Sequence, residues 1–212
     1  MNTERTNVGW GFWLAWVLAS IVGYVLGTLI AMSVPYALLP VFGVTEEFGI
    51  VHLVTFGTLL GAIGGCVQWA VLRGKIAVSG RWVLASALGF AIAGGTLGAI
   101  GIGETNENYV MAGILFAALF GIAGGIMQWL VLRQQFVRAG LWILASVFGS
   151  LVAALGIPAS AAANAASDNY SVGAMVFGFF LGAGLGAIPG AVLVWLLRQS
   201  PSSDVEGLTA AH

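Results

Sequence analysis

Six stretches of this chain, at roughly 13–34, 48–73, 81–102, 109–133, 140–164 and 171–198, carry no Asp, Glu, Lys or Arg in their interiors. About 20 apolar residues in helix span the hydrocarbon core of a bilayer, and each stretch reaches that length. Strong period-2 alternation is absent, which argues against a membrane β-barrel. Only 7% of the residues are charged and 59% are hydrophobic, against about 25% charged in an ordinary soluble domain. With a mean hydropathy of +1.00, the chain cannot cover a water-facing surface. The expected fold class is all-α transmembrane, a six-helix bundle.

The six stretches read as three tandem αα-hairpin repeats, 13–73, 81–133 and 140–198. The first helix of each opens on the phrase W-x-L-A-S-x-x-G, from Trp16, Trp82 and Trp142. The second closes in "QWAVLR", "QWLVLR" and "VLVWLLR", ending at Arg73, Arg133 and Arg198. A register shared by three copies is a stronger signal than any short motif. Copies with two spans each have the same orientation, so they are expected to be related about an axis along the membrane normal. Residues 1–12 are expected to form an N-terminal interfacial segment. They lack the charged, apolar and small-residue succession of a cleaved signal peptide. Residues 199–212 are expected to be a disordered cytoplasmic tail.

Charge sets the expected orientation. Arg5, Arg73, Lys75, Arg81, Arg133, Arg138 and Arg198 all fall on one side of the spans, and the opposite loops carry Glu46, Glu47, Glu104, Glu107 and Asp168. Basic residues favour the cytoplasmic side, so both termini are expected there. Every tryptophan lies towards that basic side, while Tyr36, Tyr109 and Tyr170 lie towards the other. Amphipathic rings favour the headgroup level, and all these aromatics are read as interface anchors.

Small residues recur every four positions, as in Ala19-Gly23-Gly27, Ala85-Gly89-Ala93 and Ala145-Gly149-Ala153 on the first helices. The second helices carry Gly57-Gly61-Gly65, Gly113-Ala117-Gly121-Gly125 and Gly178-Gly182-Gly186-Gly190. That spacing keeps them on one face, where backbones approach closely enough for dispersion to hold helices together in lipid. Packing is favoured over a glycine-lined pore because the stripes occur on all six helices.

Few residues invite chemistry. Ser20, Ser86 and Ser146 share one repeat position and are expected to bond the i−4 carbonyl or a neighbouring helix. Gln68 and Gln128 lie five residues before the terminal arginine, roughly 7.5 Å along the axis, and read as structural amide partners. Counting back from Arg198 puts Leu193 at that position in the third copy. Glu47, Glu107 and Asp168 precede outward-side helix starts, where acids complement the helix dipole, and together make an outer acidic rim. His52 is the sole candidate cofactor ligand, and no second ligand is marked beside it. Cys66, the single cysteine, excludes an intrachain disulfide and is expected to pack as a small apolar residue. No charged residue lies at mid-span, as ion-coupled transporters usually require. No metalloprotease or phosphate-loop motif is present. No metal, cofactor or nucleic-acid partner is expected, nor enzymatic activity.

The W-x-L-A-S and Q-W-x-V-L-R phrases resemble those of a group of multi-pass bacterial, cyanobacterial-type membrane proteins, over residues 13–198. The resemblance implies a bacterial cytoplasmic membrane, with the thylakoid membrane as an alternative, and carries over no functional residue. The leading expectation is a scaffold, assembly factor or accessory subunit that contacts membrane lipids and a larger membrane complex or further copies of itself. The alternative is a channel or facilitator for a small neutral solute or weakly selected cation.

Overall fold

The structure is a computed structural model describing residues 9–43, 49–76, 80–101 and 109–199, with backbone alone over 109–113. The described residues form α1 (Trp10–Leu38), α2 (Ile50–Leu72), α3 (Arg81–Ala99), α4 (Tyr109–Leu132), α5 (Leu141–Ala153), α6 (Gly156–Ser167) and α7 (Tyr170–Gln199), with a 3-10 turn over Leu39–Phe42. Because α5 and α6 run end to end, the described residues form six helical stretches long and apolar enough to cross a membrane.

Local chemistry sets the boundaries. Helix α1 begins at Trp10, so Trp10 and Trp13 belong to its first turns. Residues 1–8 and 200–212, including the expected tail, lie outside the described residues. The turns after α2 and α4 are built alike: Ile76 N–H and Phe136 N–H donate to the carbonyls of Leu72 and Leu132, each at 3.0 Å. The break between α5 and α6 was not expected. Pro158 has no N–H to offer the Ala154 carbonyl four residues back. That carbonyl instead accepts from Ile157 N–H at 3.0 Å, a tighter i+3 bond that divides the span.

The helices close into a ring in the order α1, α2, α3, α4, α5, α7 and back to α1, with α6 against α7. Glycine makes the close crossings possible. A Cβ at Gly61 would land on the Ser86 carbonyl, one at Gly121 on Ser150 and the Ser146 carbonyl, and one at Gly182 on the backbone of Ile21. Gly89 would meet the Gly124 backbone at 2.7 Å, and Gly149 the Gly184 carbonyl at 2.6 Å. With apolar solvent on the outside, such contacts supply the association that the hydrophobic effect supplies in water.

The core has two layers. The layer at the arginine-bearing end contains Trp16, Trp82, Trp142, Leu72, Leu132, Leu193 and Phe136. The other contains Tyr24, Leu60, Phe90, Phe120, Leu181 and Leu185. Outward faces are apolar as well, as in Leu14, Leu18, Val22 and Leu26 on α1 and Leu84, Leu88 and Ile92 on α3. Cys66 is exposed on α2, so it lies on an outward face and not in the packed interior.

Candidate functional site

Trp16, Trp82 and Trp142 come from α1, α3 and α5, alternate members of the ring, and meet at its centre. Their ring centroids are 6.1, 6.2 and 5.5 Å apart and their planes cross at 74–75°. Edge-to-face pairs of this kind contribute about 0.5–1.5 kcal/mol each beyond area burial. All three indoles are buried, which corrects their reading as interface anchors. Each lies four residues before Ser20, Ser86 or Ser146 and shares that serine's face. A serine that reaches a neighbouring helix therefore implies a tryptophan facing the same way.

Two glutamines tie this centre together. Gln68 on α2 donates from Nε2 to Ser20 Oγ at 3.1 Å and accepts from Trp82 Nε1 at 3.3 Å. Gln128 on α4 repeats the pattern, donating to Ser86 Oγ at 2.9 Å and accepting from Trp142 Nε1 at 3.0 Å. The hydroxyls of Ser86 and Ser146 donate to the Trp82 and Trp142 carbonyls at 2.9 and 2.8 Å. Each amide thus links the serine of the preceding helix to the tryptophan of the following one. These bonds, through Ser20, Ser86, Gln68 and Gln128, join three helices at a time.

The third position departs from the pattern, and not at Leu193. Gly65, Gly125 and Gly186 occupy matching places, each facing a serine side chain: Ser86, Ser146 and Ser20 respectively. Counting three residues onward from each gives Gln68, Gln128 and Pro189. Leu193 instead matches Leu72 and Leu132, all fully buried in one layer. Helix α7 therefore runs one turn further before its arginine, and counting back from Arg198 gave the wrong register. With Pro189 in the glutamine's place, Trp16 Nε1 is buried without a hydrogen-bond partner. Gly190, at the place of Trp69 and Trp129, leaves the space Trp16 occupies, since a Cβ there would meet Trp16 Cδ1 at 2.5 Å.

Volume is redistributed in the next layer too. The Tyr24 ring lies over Gly64 and the Phe90 ring over Gly124. By register the corresponding third pair is Ser150 and Leu185, with the larger residue on α7 instead. Beside this layer is an internal cavity lined by Gln68, Gln128, Ser146, Tyr24, Trp142 and Pro189, among others, with room for about one water molecule.

Other candidate residues stand apart from this centre. His52 on α2 is buried edge-on against the Tyr36 ring at 4.6 Å. Among the described residues, no three His, Cys, Asp or Glu side chains gather as a metal site would require. Asp168 is exposed in a left-handed conformation, φ 50°, at the end of α6. At the start of α7 the side-chain cap is Asn169, whose Oδ1 accepts from Ser171 N–H at 2.9 Å. Glu47 and Glu107 lie outside the described residues.

Compared with protein-family models, curated proteins and solved structures, the chain has no match.

Proposed function

We propose that this chain is a non-enzymatic integral membrane protein of three tandem αα-hairpins, acting as a scaffold, assembly factor or accessory subunit of a membrane complex. Both termini lie in the cytoplasm, and the host membrane is the bacterial cytoplasmic membrane or the thylakoid. The recurrence of the serine–glutamine–tryptophan bonds at successive hairpins supports the repeat reading. The grouping of the arginines at one end supports the orientation.

The observation that carries the functional reading is the tryptophan triad. Three buried indoles fill the centre of the ring, and both glutamines are committed to holding that arrangement. Polar groups that could line a route or engage a substrate are spent on structure. Native mass spectrometry after mild-detergent extraction tests this reading, with a stoichiometric protein partner as the expected result. A lone protein that passes solute in liposomes overturns it. The channel reading rests on the polar cavity beside the triad, and it requires Trp82→Ala to raise flux through that centre.

A further inference from the structure

The described basic residues Arg73, Lys75, Arg81, Arg133, Arg138 and Arg198 all lie where α2, α4 and α7 end and α3 and α5 begin. The only acid among the described residues, Asp168, is at the opposite end. Among the described residues, the charge at this end is therefore cationic.

Three of these cations are held in place by aromatic rings. The Arg73 guanidinium carbon lies 5.3 Å from the Trp69 ring centroid, one helical turn earlier. Arg133 stands over Trp129 in the same way at 5.1 Å. At the third site the cation comes from the α4–α5 turn, with Arg138 over Trp195 of α7 at 5.9 Å. Each indole is partly buried against the tryptophan layer, while all three arginines are exposed. Stacking uses the face of a guanidinium and leaves its N–H edge open to an anion. A planar fork of donors matches the oxygens of a phosphate. Half-buried indoles favour headgroup depth in a bilayer, which is where these forks would then stand.

We propose that the Arg73–Trp69, Arg133–Trp129 and Arg138–Trp195 pairs are three binding sites for anionic phospholipid, each guanidinium holding the headgroup phosphate. This rests on the membrane reading above, and it names the lipid partner that reading leaves general. The seat needs both members of a pair, the arginine for charge and the indole for position.

The test is native mass spectrometry of the full chain in mild detergent, titrated with phosphatidylglycerol or with phosphatidylcholine. The wild type should retain up to three phosphatidylglycerol molecules in preference to phosphatidylcholine, and millimolar inorganic phosphate should not displace them. Each Arg→Gln change should weaken phosphatidylglycerol retention about fivefold. Trp69→Leu, which keeps the charge, should weaken it as well. Arg→Lys variants at the three sites serve where a glutamine variant does not fold, and they should retain less than wild type. Equal retention of the two lipids by the wild type overturns the proposal, as does undiminished phosphatidylglycerol binding by R73Q/R133Q/R138Q. A co-purifying protein partner is read as a separate mass in the same spectra, so failure of the scaffold reading is distinguishable from failure of the lipid sites.

Discussion

Trp142 donates its indole N–H to Gln128 Oε1 at 3.0 Å, and that single bond joins α5 to α4 at the centre of the ring. The same amide donates to Ser86 on α3, so one side chain holds three helices in register. Interhelical bonds of this type contribute about 0.6–2 kcal/mol in lipid, and an unmatched buried donor costs about 1–3 kcal/mol.

Gln128→Leu is expected to destabilise the protein by about 1–3 kcal/mol, because it strands the Trp142 N–H. In a Trp142→Phe background the same substitution should cost less, since no donor remains to be stranded. Reversible unfolding in mixed micelles measures both. Equal costs in the two backgrounds would mean that the bond does not couple α4 to α5.

Pro189→Gln should complete the third position. Its amide would supply an acceptor for Trp16 Nε1, which is buried without a partner, and a donor for Ser146. It would also return an N–H to the Leu185 carbonyl. A gain of about 0.6–2 kcal/mol is expected, and Trp16→Phe should remove much of it. No gain in unfolding free energy would refute the register assigned here to α7.

Glycine substitutions should divide by place. Gly61→Leu and Gly121→Leu force side chains into the backbones of α3 and α5. Each is expected to cost at least about 1–3 kcal/mol by overpacking. Gly80→Ala and Gly140→Ala, where an added Cβ meets nothing within 4 Å, should be close to neutral. Thermal unfolding of the four variants in one detergent checks the division, and a well-folded Gly61→Leu protein would contradict the packing.

Orientation is testable with cysteines at Ser167 and Ser202 in a Cys66→Ala background. The proposed topology places residue 167 outside and residue 202 in the cytoplasm. An impermeant thiol reagent applied to sealed right-side-out cells should label the first alone. Labelling at residue 202 as well would reject the topology.

The helical class, the number of spans and the approximate helix positions were legible in the sequence, because uninterrupted apolar length and the absence of mid-span charge leave little alternative in a bilayer. The glycine stripes were legible for a related reason: four-residue spacing fixes a helix face whatever packs on it. Tertiary structure decided what lies across from that face. Trp16, Trp82 and Trp142 looked like interface anchors because sequence position gives depth along a helix, whereas burial depends on which neighbours enclose it. The register of Pro189 escaped counting from Arg198 because a helix can extend by a turn at its exposed end without moving its packed residues. The matching glycine contacts of Gly65, Gly125 and Gly186 fix that register, and the last of them exists only once α7 has closed the ring against α1.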